Sequence, residues 1–121
     1  MKKRILIVED NPWNSQLIAE VLERNDFDVE VAMRGDAALE MISTHIPDMV
    51  LLDLMLPDIN GIDIARELRE THDDEALPIV ALTALGNVTM QRRCIEAGFN
   101  EVIVKPVTNR EVVECVRRYV E

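Results

Sequence analysis

Aromatic side chains are scarce in this chain, with one Trp, one Tyr and two Phe among 121 residues. A core of normal size must then be built almost wholly from aliphatic groups. Cysteine is nearly absent too. Cys94 and Cys115 belong to no C-x-x-C pair or Cys/His cluster, which excludes a zinc knuckle or dithiol redox motif and leaves two free thiols of a cytosolic protein. Basic residues are in deficit, 13 against 23 acids, and the net charge of −10 disfavours direct binding to nucleic acid or an anionic membrane. The surplus acids suit a cation site or a basic protein partner. Long apolar runs are missing as well. Lys2-Lys3-Arg4 precedes only Ile5-Leu6-Ile7-Val8 before Glu9 and Asp10 intervene, too short for a secretory signal, and no segment approaches a membrane span. There is no internal repeat, linker or low-complexity stretch.

What remains is a chain of one-domain length, residues 1–121, with 48% hydrophobic and 30% charged residues. Its organising stretch is Asp48-Met49-Val50-Leu51-Leu52-Asp53. Four apolar residues without alternation predict a strand buried on both faces, as in a parallel sheet covered by helices. Ile5–Val8, Val29–Ala32, Ile79–Leu82 and Val102–Val104 supply four more strands. Between them run helical patterns. Asn11-Pro12 reads as an N-cap and first helical residue, followed by an inward stripe of Leu17, Ile18, Val21 and Leu22. Arg34-Gly35-Asp36 turns into a second helix with Ala38, Leu39, Ile42 and Ile46 facing inward. A third follows Gly61, burying Ile64, Ala65 and Leu68 and leaving Arg66, Glu67, Arg69 and Glu70 in water. The fourth ends at Ala97-Gly98, where glycine suits a left-handed C-terminal cap. The fifth opens on the capping box Thr108-Asn109-Arg110-Glu111. Five strands alternating with five helices predict an α/β fold with helices on both faces, the strand order left open by periodicity.

In such a sheet the strand ends share one edge, where ligands bind. Four of the five strands end on a reactive side chain: Glu9 and Asp10, Asp53, Thr83, and Lys105. Each has a bland reading on its own, as a solvated strand end or a surface lysine. Their coincidence at one edge does not. Three gathered carboxylates repel unless a cation joins them, and a hard oxygen-seeking ion such as Mg²⁺ fits this ligand supply. With an ammonium and a hydroxyl added, the set suits a transferring phosphoryl group, and an aspartate can itself be the nucleophile.

Over essentially its full length the chain resembles the receiver domain of two-component response regulators. The resemblance is carried by Glu9-Asp10, Asp53, Thr83-Ala84 and Lys105-Pro106 at the ends of strands one, three, four and five, with Pro57, Gly61 and Gly98 in the expected loops. It implies a flavodoxin-like doubly wound sheet of order 2-1-3-4-5. It implies that Asp53 accepts phosphate from a histidine kinase or histidine phosphotransfer protein, that Thr83 and Lys105 bind the phosphoryl oxygens, and that Glu9, Asp10, Asp53 and the backbone carbonyl of Met55 hold Mg²⁺. A cis Lys105-Pro106 peptide rests on the family alone. So does a signalling face on helix four, strand five and helix five, carrying Arg92, Arg93, Glu96, Arg110, Glu114 and Arg117 toward a downstream effector protein. The only chemistry implied is self-catalysed phosphoryl transfer and dephosphorylation in the cytoplasm. One residue departs from the pattern: Val102 stands where receivers commonly place Tyr or Phe.

Other readings are weaker. A haloacid-dehalogenase-like phosphatase needs a second acid two residues after the nucleophile, where Met55 stands. A flavin or nucleotide carrier needs a Gly/Ser/Thr-rich phosphate loop after strand one, and Glu9-Asp10-Asn11-Pro12 is its electrostatic opposite. A degenerate receiver that binds partners without phosphorylation would not need every one of these residues. The chain ends one helix after Lys105, so a stand-alone regulator and a receiver cut from a longer protein both remain open.

Overall fold

In the computed structural model, which describes residues 2–121, five parallel strands alternate with five helices. Strands β1 (Arg4–Val8), β2 (Asp28–Ala32), β3 (Met49–Asp53), β4 (Ile79–Thr83) and β5 (Glu101–Val104) pair in the order β2-β1-β3-β4-β5. Helices α1 (Pro12–Arg24), α2 (Gly35–Thr44), α3 (Gly61–Arg69), α4 (Val88–Ala97) and α5 (Asn109–Val120) follow the strands in turn. The expected doubly wound sheet is thus present with its order.

Alternate residues of the central strands point to opposite faces, and both faces are covered. Ile5, Ile7, Met49, Leu51, Val80 and Leu82 pack with Leu22 of α1 and Val112, Val113 and Val116 of α5. Leu6, Val8, Val50, Leu52, Ile79 and Ala81 pack with residues of α2, α3 and α4, among them Ala38, Ile42, Ile64, Leu68 and Cys94. Each large side chain so buried contributes about 1.5–3 kcal/mol, which explains why continuous apolar strands, and not alternating ones, were required. Phe27 and Phe99 are the two aromatic residues that are fully buried.

The helix ends follow local chemistry. Asn11 Oδ1 accepts from the Trp13 and Asn14 amides, with Pro12 at the first helical position. Thr108 and Glu111 form the reciprocal capping box. Gly98 sits at φ 111°, and a Cβ there would also meet Arg69 Cγ at 2.5 Å. The Lys105-Pro106 peptide is cis.

Three expectations for single side chains fail, each for a visible reason. Leu17 is 56% exposed, because α1 turns Ser15, Ile18 and Leu22 toward the sheet instead. Ser15 tolerates burial by donating its hydroxyl to the Pro12 carbonyl at 3.2 Å. Leu17 lines a surface cavity of ≈ 450 Å³ with Pro106, Val107 and Val112. Ile46 is exposed since α2 ends at Thr44 and the extended His45 takes it out of the helical register. Arg69 is not a solvated residue. Its guanidinium donates to the carbonyls of Gly98 and Leu77 at 2.8 Å each and to Asn100 Oδ1 at 2.8 Å, tying α3 to the turn between α4 and β5.

Candidate phosphoacceptor and cation site

Strand register brings the reactive side chains together. Val8 is level with Leu52, Asp53 with Leu82, and Thr83 with Val104. Glu9 and Asp53 are therefore level, and Thr83 and Lys105 emerge one and two residues further along the edge where the strands end. A parallel sheet with short βα loops forces that convergence, however far apart the residues lie in sequence.

At the centre Asp53 is 7% exposed and Glu9 2% exposed, while Asp10 stands in solvent. One carboxylate oxygen from each of Glu9, Asp10 and Asp53 lies within 4.8 Å of the others. Lys105 Nζ bridges the two buried acids, donating to Glu9 Oε1 at 3.0 Å and to Asp53 Oδ2 at 3.1 Å. The Met55 amide donates to Asp53 Oδ1 at 2.9 Å, and Asn14 Nδ2 donates to Glu9 Oε1 at 3.2 Å. Thr83 is fully buried, and its Oγ1 accepts from the Leu85 amide at 3.0 Å, an acceptor role that leaves the hydroxyl proton to be donated elsewhere.

The acids are not equivalent. Burial pushes the Glu9 carboxyl up to about 7, with the neighbouring Asp53 reinforcing the rise against the pull of Lys105. Burial also acts upward on Asp53, but the neighbouring Glu9 carboxyl, the Met55 amide and Lys105 prevail and hold it below its usual value. Lys105 loses from burial and gains more from its two acidic partners, so its ammonium is held charged. The two buried acids are thus shifted in opposite directions, Glu9 upward and Asp53 downward.

Glu9 Oε2 is buried and has no hydrogen-bond partner among the described residues. An orphaned carboxylate oxygen in a group of three acids is costly unless a proton or cation satisfies it. All-oxygen donors of this charge fit a hard divalent cation. The acidic pocket therefore suits the group that receiver domains bind there.

Every residue expected at the site lies at this edge. Two that matter were not picked out in advance. Asn14 projects from the first turn of α1, and its signal was only a polar amide one helical turn beyond Asp10. Asp58 lies in the loop after β3, among Pro57, Asn60 and Gly61, and accepts from the Gly35 and Asp36 amides; its signal is the absence of a capping side chain at Arg34.

A buried aspartate flanked by acids and a lysine at the end of β3 on a doubly wound sheet defines a response-regulator receiver. The sequence model of the response regulator receiver domain matches residues 5–117, and the chain belongs to that family. It is a receiver domain of two-component signal transduction. It is 40% identical over 117 residues to the DNA-binding response regulator MtrA of Mycolicibacterium smegmatis, covering 97% of this chain and 50% of that protein. Identity to the phosphate regulon transcriptional regulatory protein PhoB of Rhizobium meliloti is 36%, over 97% of this chain and 52% of that one. The chain spans about half the length of these curated relatives. Among solved structures, the BeF3-activated N-terminal receiver domain of Klebsiella pneumoniae RstA is 36% identical with a TM-score of 0.90, covering 98% of each chain. A CheY-like receiver domain protein from Methanospirillum hungatei superposes with a TM-score of 0.92 at 24% identity, over 99% of this chain and 94% of that one, a likeness of fold alone. No helix among the described residues is long and apolar enough to cross a membrane.

Proposed function

We propose that residues 1–121 form one receiver domain in which Asp53 accepts a phosphoryl group from the phosphohistidine of a kinase or phosphotransfer protein. The observation that carries this reading is the Asp53 carboxylate itself, buried and hydrogen-bonded to Lys105 and the Met55 amide. An Asp53 oxygen attacks phosphorus in line with the phosphorus–nitrogen bond. The new oxygen–phosphorus bond makes an acyl phosphate, and the imidazole leaves with the bonding pair as a neutral ring once protonated. Lys105 turns from Asp53 Oδ2 to the incoming phosphoryl oxygens, and the Thr83 hydroxyl donates to another. Glu9, Asp10, Asp53 and the Met55 carbonyl would hold Mg²⁺, which would supply neutralising charge to the phosphoryl oxygens.

The partners follow from this chemistry: a histidine kinase or phosphotransfer protein upstream, in the cytoplasm, and an effector downstream. The relative MtrA is named DNA-binding; the net charge of −10 carried by this chain favours a protein contact for the receiver itself. Arg92, Arg93, Glu96, Arg110, Glu114 and Arg117 are exposed on α4 and α5 and form the surface proposed to meet the effector. Val102, half-buried on β5, stands where receivers commonly place an aromatic residue, so only a modest rearrangement is expected there on phosphorylation.

The test is incubation with acetyl phosphate and Mg²⁺ followed by intact-mass measurement. Wild type gains one phosphoryl group and Asp53→Asn, correctly folded, gains none. Stoichiometric uptake by Asp53→Asn would overturn the assignment.

A further inference from the structure

Helix α2 lacks a cap of its own. Arg34 occupies the N-cap position and gives no side-chain hydrogen bond to the first turn. Asp58, from the loop between β3 and α3, does this work from a distance. Its Oδ1 accepts from the Gly35 amide at 2.8 Å and its Oδ2 from the Asp36 amide at 2.9 Å, with the Arg34 guanidinium 3.7 Å away. The two amides hold the Asp58 carboxyl down at about 2. Contact is tight around it. A Cβ on Gly35 would meet Ile64 Cδ1 at 2.8 Å and Ile59 Cβ at 3.1 Å, so the loop lies directly on the first turn of α2.

The same loop is closed at its base. The Gly61 amide donates to the Leu54 carbonyl at 3.1 Å, and a Cβ on Gly61 would meet Leu54 Cα at 2.8 Å. Met55, Leu56 and Pro57 are therefore strung between two fixed points, the end of β3 and the Asp58 contact with α2. Met55 faces the pocket through its amide, bound to Asp53 Oδ1 at 2.9 Å.

We infer that Asp58 is a positioning residue for the cation site: by binding the two amides that open α2, it fixes the loop that carries Met55 and couples α2 to the acidic pocket. The inference rests on the reading of that pocket as a Mg²⁺ site. The coupling is reciprocal by thermodynamic necessity, so a cation that orders the loop also tightens the first turn of α2. A cap that served only the helix would influence stability and nothing at the pocket.

Two measurements on the whole chain decide it: Mg²⁺ affinity by calorimetry, and amide exchange at Gly35 and Asp36 with and without Mg²⁺. Asp58 acts on the loop that carries a ligand and not on a ligand itself, so Asp58→Ala is expected to raise the Mg²⁺ Kd severalfold, up to the roughly tenfold that loss of an outer-shell partner costs. Asp58→Asn retains one acceptor oxygen without the charge; it falls between, and carries the test if the alanine variant does not fold. In wild type Mg²⁺ slows exchange at both amides, and in Asp58→Ala it does not. A folded variant, Ala or Asn, with wild-type Mg²⁺ affinity overturns the inference, as does exchange at Gly35 and Asp36 that ignores Mg²⁺ in wild type. If wild type takes up no Mg²⁺ at all, the reading of the pocket falls, and the inference with it.

Discussion

Binding of Mg²⁺ should drive a proton off Glu9, and the amount is fixed by pH. The carboxyl is pushed up to about 7 by burial and by Asp53, and its Oε2 is buried without a partner. A carboxyl of that pKa is about nine-tenths protonated at pH 6, half at pH 7 and about one-tenth at pH 8. A cation requires the ionised form, so close to one proton leaves per Mg²⁺ at pH 6 and about a tenth of one at pH 8. The apparent affinity is correspondingly about tenfold weaker at pH 6 than at pH 8. Lys105 cannot be the source, since its two acids hold its ammonium charged well above this range. Calorimetric titration in two buffers of different ionisation enthalpy measures the release, with Glu9→Gln as the control that abolishes it. Release below about 0.2 protons at pH 6, or undiminished release in Glu9→Gln, would refute the argument.

The same shift has a consequence for stability without metal. The folded pKa of Glu9 lies above its unfolded value of 4.5, so the native state binds more protons between that value and about 7. Metal-free stability therefore falls as pH rises through this window, by up to about 3 kcal/mol if the shift is fully expressed. Asp53 is shifted the other way, and its contribution is present above its unfolded value of 3.8 and lost as pH falls through its lower folded value. The two effects occupy separate windows. Saturating Mg²⁺ removes the first, so urea unfolding midpoints from pH 5 to 7.5 should slope downward without the ion and flatten with it.

Two further outcomes follow from particular side chains. Met55 and Leu85, each two residues beyond a reactive group, are 64% and 43% exposed and apolar, so neither orients a water for attack on an acyl phosphate. Decay of phosphorylated protein in Mg²⁺ after donor removal should be slow, and faster by up to about tenfold, or 1.4 kcal/mol of barrier, in Met55→Asn or Leu85→Glu; decay in wild type as fast as in both variants would contradict this. Arg69→Met should cost about 2–4 kcal/mol in denaturant unfolding, because the Gly98 and Leu77 carbonyls lose a charged donor, whereas a solvated arginine would cost under 0.5.

Much of this molecule is legible from its sequence because the signals are collective. Ile5–Val8, Met49–Leu52 and Ile79–Leu82 read as strands since no other structure buries such short apolar runs on two faces, and their ends announce the site. Individual side chains are less legible from hydrophobicity alone. Leu17 lost its buried place to Ser15, a residue small enough to pack and able to satisfy its hydroxyl within its own helix. Charge alone places Arg69 in water, yet the Gly98 and Leu77 carbonyls and Asn100 Oδ1 need donors, and only a long forked cation reaches all three at once. Asp58 shows the same limit from the other side. A helix that opens on Arg34-Gly35 without a capping oxygen must find an acceptor elsewhere, and a carboxylate in a turn-rich loop is a natural one. An unmet hydrogen-bonding need can be read from sequence; which distant residue meets it is decided by the strand order. Here that order places the loop after β3 beside the first turn of α2, and so brings a helix cap into the loop that frames Asp53.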